Sequence, residues 1–176
     1  MTLQFTKEQR TILINQMEIL KRVDPQNSDE YERKIEVLYN GYSYYYSDIF
    51  GDIEEEFSPD ITRKVFDVLN MYRNLYFSFN SLTSEEQEEI SEEDVLFQGF
   101  DGNEEINHYC FAKHVVNTEE IYPEISNLIK KGKVEMNSHR NIVGYYNDLL
   151  SRWLPVRKAV RGDKLTLQQI KDVLGK

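Results

Sequence analysis

The residues that decide the fold are SPDITRKVFDVLNMYRNLYFSF, positions 58–79. Ser58 followed by Pro59 is typical of a helix start, because serine caps free backbone N–H groups and proline has no N–H to lose in the first turn. Apolar residues then recur at helical spacing over more than one narrow stripe: Ile61, Val65, Val68, Leu69, Tyr72, Leu75, Tyr76 and Phe79. A helix that is apolar over so much of its surface is usually packed on several sides. The segment therefore predicts a central helix.

Further helix signals lie on both sides of this segment. Thr6 and Thr166 are each followed three residues later by glutamine, which is the capping-box pattern. Further helices are expected at residues 27–41, where Gly41 would be the C-terminal cap, at 42–50, and in a short segment after Thr83. Three more are expected at 103–116, 123–132 and 138–153, and Leu154-Pro155 should end the last of these. No segment shows the alternation of a strand. The sequence predicts an all-α fold, a single multihelical domain over residues 1–176, with eight or nine helices around a central helix and no sheet.

Charge is divided unevenly along the chain. Residues 1–120 carry 26 Asp and Glu against 10 Lys and Arg, whereas residues 121–176 carry 5 acids against 11 bases. Seven of the acids fall in 84–94. An acidic run of this kind is usually a solvated surface, and its alternative is a docking strip for a basic partner, including the chain's own C-terminal part. The division between an acidic body and a basic C-terminal part favours charge-complementary contacts within or between molecules.

Composition indicates a cytoplasmic protein. The single cysteine, Cys110, excludes an intrachain disulfide and suits a reducing compartment. Its neighbours Tyr109, Phe111 and Val115 favour a buried side chain over a catalytic thiol. Polar residues occur throughout the first ten positions, and no apolar run approaches the ~18 residues that span a bilayer. We expect neither a signal peptide nor a membrane segment.

Tyrosines are concentrated in the segment Tyr42-Ser43-Tyr44-Tyr45-Tyr46. Four phenol rings in five residues cannot all face one core, so some should contact solvent or another subunit. Together with the charge division, this favours a homo-oligomer or a complex with another protein. The candidate interface residues are Tyr44, Tyr45 and Tyr46 with Arg157, Lys158 and Arg161.

Several short motifs occur together along the chain: Glu8-Gln9-Arg10-Thr11-Ile12-Leu13, Asn15-Gln16, Asp24-Pro25, Gly41-Tyr42, Met71-Tyr72, Ser78-Phe79-Asn80-Ser81-Leu82, Gly99-Phe100-Asp101, Val116-Asn117 and Trp153. In this order and spacing they resemble the YfbU family of small bacterial proteins, from Thr6 to the last helix. The resemblance implies a multihelical fold and a cytoplasmic bacterial protein. It brings no established activity and no catalytic residues. Some relatives join this domain to a small DNA-binding segment, which this sequence does not show.

No sequence motif specifies a reaction. The densest polar group is Asp101, Glu104, Glu105 and His108, in which Glu104 and His108 are spaced to share an ion, but one such pair favours exposed polar residues over a metal site. Asp101 is better explained as a helix cap. The glycine-rich phosphate and dinucleotide motifs are absent, so no cofactor is expected. The candidate pocket lies near Gly99–Asp101 against the central helix, with Tyr72, Asn80, Phe100, Asp101 and Glu104 as its residues.

These observations favour a non-enzymatic interaction or regulatory protein that self-associates. The first alternative is an enzyme or small-ligand-binding protein, in which Asp101 or Glu104 would transfer protons and Tyr72 or Asn80 would donate hydrogen bonds. The second is a DNA-associated regulator that uses the basic residues around Trp153. A net charge of −10 argues against nucleic acid as the main partner.

Overall fold

The computed structural model describes residues 3–51, 56–159 and 164–176, and within them it is all-α. The nine helices of these ranges are α1 Lys7–Val23, α2 Ser28–Asn40, α3 Tyr46–Phe50, α4 Pro59–Phe79, α5 Ser84–Gln87, α6 Ile106–Asn117, α7 Pro123–Lys130, α8 Val143–Ala159 and α9 Leu167–Leu174. Short 3-10 turns occupy Pro25–Asn27, Ser43–Tyr45 and Glu92–Val95. The described residues contain no strand, only an isolated bridge between Phe100 and Asn137. The predicted fold class is therefore confirmed.

The chain divides into two compact units, residues 1–56 and residues 57–176. A single domain over the whole chain remains a prediction. In the first unit, α1 packs against α2, and Gly41 ends α2 in the left-handed conformation with a φ of 70°. The guanidinium of Arg10 donates a 2.9 Å hydrogen bond to the carbonyl of Leu38 near that end. The core of this unit is small: among its described residues, Val37, Leu38 and Tyr46 are buried, and Phe5 packs its ring 4.9 Å from that of Tyr46.

The second unit is built around α4, as predicted. Ser58 caps the helix by accepting from the backbone N–H of Asp60, and Pro59 occupies the first turn. Helices α6, α8 and α9 and the turn at Glu92–Val95 all contact α4. Its buried residues extend over most of its length: Val65, Val68, Leu69, Met71, Tyr72, Asn74, Leu75, Ser78 and Phe79.

Capping signals located most helix starts correctly. Thr6 with Gln9, Thr83 with Glu86 and Thr166 with Gln169 each form a complete capping box, in which both side chains accept backbone hydrogen bonds. The acidic run therefore begins with an ordered helix, α5, and Ile90 within the run is buried.

The predicted boundaries of α8 were wrong at both ends. The helix begins at Val143 and not at Ser138, and it continues through Pro155 to Ala159. Proline inside a helix removes a backbone hydrogen bond and crowds the preceding turn, at about 3 kcal/mol. Packing offsets that cost, since Trp153 before Pro155 is buried and Val156 after it packs against the core.

The burial predicted on α6 was also wrong in part. Cys110, which was expected to be buried, is exposed, and Ile106 on the same helix is 48% exposed. The inward face of α6 instead consists of Ala112, Val115 and Val116, at positions i, i+3 and i+4. Ile106 and Cys110 are four residues apart and lie on a different side of the helix.

Candidate functional site

The predicted pocket residues occupy three different environments within residues 57–176. Tyr72 and Phe100 are both buried, and each packs its ring against Phe97 and Tyr146 in one aromatic cluster. Glu104 is exposed, and Asn80 lies at the C-terminal end of α4. A cavity that brings all of them together is not found among the described residues.

The Tyr72 hydroxyl is the one buried side-chain oxygen or nitrogen of the described residues without a partner of standard hydrogen-bond geometry. Burial raises its pKa well above the ordinary tyrosine value, and the nearby Tyr145 phenol adds to this effect. Tyr146, in the same cluster, donates a 2.6 Å hydrogen bond to the carbonyl of Gly99. Both phenols are therefore neutral core groups at physiological pH.

Asp101 holds a turn in front of α6. Its Oδ1 accepts from the backbone N–H groups of Asn103 at 2.7 Å and Glu104 at 3.4 Å, while the residue at the N-cap position of α6 is Glu105. The predicted capping role thus applies to the turn before the helix rather than to the helix itself. A carboxylate that accepts local backbone hydrogen bonds in this way has a structural role.

Glu105 is a buried carboxylate, which the sequence placed in the densest polar group without predicting a structural role for it. Its Oε1 accepts from the backbone N–H groups of Ile142 at 2.8 Å and Val143 at 2.7 Å, and its Oε2 accepts from that of Asp101 at 3.0 Å. Glu105 therefore caps the start of α8 from a position 37 residues earlier in the chain. Helix α8 has no local capping signal of the kind found at Thr166, so its start could not be recognised in the sequence.

His108 is half-buried, with its ring stacked 5.5 Å from that of Phe100. Burial lowers the pKa of His108, an effect that Glu105 opposes and Lys64 reinforces. No group of three or more metal-ligating side chains is found in the described residues, which include Glu104 and His108.

We expect His108 to make the stability of the protein depend on pH. Since its folded pKa lies below the unfolded value of about 6.5, the unfolded chain binds the proton more readily, and stability falls as the pH drops through about 6.5. Urea unfolding of wild type and His108→Gln between about pH 5 and 7.5 measures this effect. As the pH is lowered, the free energy of unfolding should fall less in the variant than in the wild type. His139→Gln, at an exposed position, is the control; an equal loss in the native protein and in His108→Gln would contradict this expectation.

The predicted interface residues differ in exposure. Tyr44 is 83% exposed and Tyr45 is 43% exposed, whereas Tyr46 is buried in the core of residues 1–56. Arg157 and Lys158 are exposed near the end of α8. Arg161 lies outside the described residues.

The acidic run is ion-paired to the basic C-terminal part of the same unit. Lys133 Nζ lies 2.7 Å from Glu92 Oε1, Lys171 Nζ lies 2.6 Å from Glu89 Oε2, and Lys176 pairs with Asp94. The chain's own C-terminal part therefore lies against the run, which was the alternative to a purely solvated surface. Each pair is partly exposed and is worth about 0–1 kcal/mol, so the pairs orient the segment more than they stabilise it.

A cavity of about 530 Å³ opens between α4 and the end of α8. Its lining is rich in cations and amides, with one aromatic ring: Asn70, Arg73, Asn74, Phe77, Asn80, Arg157 and Lys164. Of the predicted site residues, Asn80 and Arg157 belong to it. The cavity could not be predicted from the sequence, because its residues come from positions 70 to 164 and share no local motif. A second, shallower groove of about 380 Å³ lies between segments 93–98 and 133–139.

The first unit has an exposed apolar helix face. None of the 17 residues of α1 is buried, and Ile12, Ile19 and Val23 are 58%, 61% and 75% exposed. At 100° per residue these three side chains lie within about 40° of one another around the helix axis. The apolar residues of α1 are thus divided between two sides of the helix: Leu13 and Met17 pack inward, whereas Ile12 and Ile19 face outward.

No helix in the described ranges is both long enough and apolar enough to cross a bilayer.

Comparison with known proteins identifies a family to which the chain is similar. The YfbU domain matches residues 3–175. The UPF0304 protein MJECS11 of Methanocaldococcus jannaschii is 28% identical over 148 residues, which cover 84% of this chain and 86% of that protein. With a family match over nearly its whole length, and with the multihelical fold that the resemblance implied, this chain belongs to the YfbU family.

Proposed function

We propose that this protein is a non-enzymatic cytoplasmic protein that self-associates through the outer face of α1 and acts by binding other proteins. The observation that carries the proposal is the exposed stripe of Ile12, Ile19 and Val23 on a helix that has no buried residue. An apolar face on a unit of this size is a typical interaction site.

The small core of residues 1–56 supports the same proposal. A unit of about 56 residues is near the lower limit at which one hydrophobic core suffices, and the part of this unit that the structure describes buries three apolar side chains. Covering the outer face of α1 would add the apolar burial that the unit lacks. Small helical units commonly obtain that burial by oligomerisation.

A second copy of the chain is the occupant that we propose. Most homo-oligomers are twofold symmetric, so one patch must complement itself. The stripe of Ile12, Ile19 and Val23 meets this condition, because an apolar ridge can pack against its own symmetry mate without opposing like charges. A typical interface buries about 800 Å² on each partner, which is more than one helix face supplies. We propose that the contact also includes Tyr39 and Tyr44, which are 76% and 83% exposed on the same unit.

The test is the molar mass in solution. Native protein at micromolar concentration is expected to sediment as a dimer whose dissociation is insensitive to salt, because the proposed contact is apolar. Ile19→Glu places a charge in the stripe and should weaken the dimer about 100-fold or more, since a buried unpaired charge costs several kcal/mol. Thr11→Glu, exposed on another side of α1, adds the same charge and should leave the dimer intact.

Two outcomes would contradict the proposal. One is a monomer at all concentrations up to about 100 μM, a range in which a specific dimer of standard interface size is populated. The other is an equal loss of association in Ile19→Glu and Thr11→Glu, because the added charge and not its position would then be responsible.

A further inference from the structure

The cavity between α4 and the end of α8 concentrates positive charge in an acidic protein. Arg73, Arg157 and Lys164 all line it, although the chain carries a net charge of −10. Arg157 and Lys164 have no carboxylate within 4 Å among the residues that the structure describes. Unpaired cations that converge on a concave surface create a positive potential inside it.

Arg73 is held rigidly at one wall of this cavity. Its Nε lies 2.6 Å from Glu124 Oε1 and its Nη2 lies 3.2 Å from Glu124 Oε2, and its guanidinium stacks 4.2 Å from the centre of the Tyr122 ring. Glu124 therefore neutralises much of the Arg73 charge. Arg157 and Lys164 have no such carboxylate partner in the part of the chain that the structure describes, so within that part the net positive charge of the cavity comes mainly from those two residues.

Amide groups and one ring complete the lining. Asn70 Oδ1 accepts a 2.9 Å hydrogen bond from the Tyr122 hydroxyl, which holds this amide side chain in the lining. Asn80 is fixed by a 2.7 Å bond from its Nδ2 to the carbonyl of Tyr76, which leaves its Oδ1 as an acceptor. Phe77 is 46% exposed, a large fraction for a phenylalanine beside a cavity. Cations, fixed amides and an open aromatic face are what a charged ligand with a flat ring requires.

We propose that this cavity binds a small organic anion, in which a phosphate or carboxylate group is joined to a planar apolar ring. The anionic group pairs with Arg157 and Lys164, and the ring packs on Phe77. A volume of about 530 Å³ suits a small molecule. The site lies wholly within residues 57–176, so it is independent of the self-association proposed for α1.

The experiment is calorimetric titration of the full chain with four compounds of defined chemistry. Phenyl phosphate and benzoate each combine a ring with an anion, inorganic phosphate has the charge alone, and benzyl alcohol has the ring alone. At least one of the two aromatic anions should bind saturably with a dissociation constant of about 1 mM or lower. Inorganic phosphate and benzyl alcohol should each bind about tenfold more weakly. Comparison of the two aromatic anions identifies the preferred charged group. If neither saturates below about 10 mM, the proposal is wrong.

Exposed residues allow variants that leave the core unchanged. Arg157→Gln and Lys164→Gln should each weaken the aromatic anion about fivefold. Lys158→Gln, the matched control, removes the same charge from an exposed neighbour that does not line the cavity and should change affinity less than about twofold. Phe77→Ala should weaken phenyl phosphate and leave inorganic phosphate unchanged. Equal effects of Arg157→Gln and Lys158→Gln would overturn the proposal, because binding would then be a general attraction to the basic part.

Discussion

Replacing Glu105 by alanine is expected to lower the free energy of unfolding of residues 57–176 by about 3–5 kcal/mol. Its carboxylate accepts three backbone hydrogen bonds, from Asp101, Ile142 and Val143, all between 2.7 and 3.0 Å. Alanine would leave these donors without an acceptor in a place that water reaches poorly, since Glu105 is 6% exposed. An unsatisfied buried donor costs about 1–3 kcal/mol, which sets the size of the effect.

Urea unfolding followed by the fluorescence of Trp153 measures this change. Trp153 is the only tryptophan of the chain, it is buried, and its Nε1 donates a 3.0 Å hydrogen bond to Asn74 Oδ1, so its emission reports on the second unit. Glu105→Gln keeps one side-chain oxygen as an acceptor, so it should lose less unfolding free energy than Glu105→Ala. Glu104→Ala, the exposed neighbour, should change stability by less than about 0.5 kcal/mol.

A loss of less than about 1 kcal/mol in Glu105→Ala would show that the start of α8 does not depend on this carboxylate. The same conclusion would follow if Glu104→Ala and Glu105→Ala were equally destabilising. Circular dichroism adds an independent readout, since fraying of the first turn of α8 should reduce the helical signal of the Glu105→Ala variant before global unfolding begins.

How far the sequence predicts this fold depends on the range of the interaction that fixes each element. Thr6, Ser58, Thr83 and Thr166 mark helix starts because the groups that satisfy the backbone are within three residues. The start of α8 is fixed instead by Glu105, 37 residues away, and the prediction there failed.

Local rules also fail where tertiary packing outweighs them. Pro155 should end a helix by backbone chemistry alone, yet buried Trp153 and partly buried Val156 hold α8 together across it. The burial of Cys110 was predicted from apolar neighbours in sequence, but the angular position of each residue on α6 decides which side chains turn inward.

The candidate sites also depend on tertiary contacts that the local sequence does not reveal. The outer face of α1, with Ile12, Ile19 and Val23, was not predicted, because apolar residues recur at helical spacing on more than one side of α1 and nothing local shows which side packs against α2. The cavity beside α4 could not be predicted, since Arg73 and Lys164 are brought together by the fold. Asn80 and Arg157 were selected from sequence for two different roles and prove to line the same cavity.

Replacing Gly99 by alanine should be about as destabilising as the loss of Glu105, lowering the free energy of unfolding by about 2–5 kcal/mol. Gly99 has a φ of +77°, where a residue with a Cβ costs about 1–2 kcal/mol. A Cβ at this position would also lie 2.5 Å from the carbonyl oxygen of Met136 and 2.7 Å from that of Glu135. Those oxygens belong to backbone and cannot rotate away as a side chain could.

The backbone around Gly99 has little freedom to relax. Phe100 donates a 3.0 Å hydrogen bond to the carbonyl of Met136, and its own carbonyl accepts a 3.1 Å bond from Ser138. The carbonyl of Gly99 accepts a 2.6 Å bond from the buried Tyr146 hydroxyl. Moving the segment away from an added methyl group would stretch these bonds, so the steric cost of about 1–3 kcal/mol adds to the conformational one.

Two other glycines distinguish the conformational cost of a positive φ from the steric cost of close packing. Gly132 has a φ of +69°, and a Cβ added there would have no atom within 4 Å, so Gly132→Ala should show the conformational cost alone, about 1–2 kcal/mol. Gly144 lies in α8 with equally open space and no positive φ, so Gly144→Ala should be neutral or stabilising by up to about 1 kcal/mol. Urea unfolding monitored by Trp153 fluorescence gives all three values. If Gly99→Ala and Gly132→Ala lost equal stability, close packing of segment 99–100 against 135–138 would not be what requires glycine at this position.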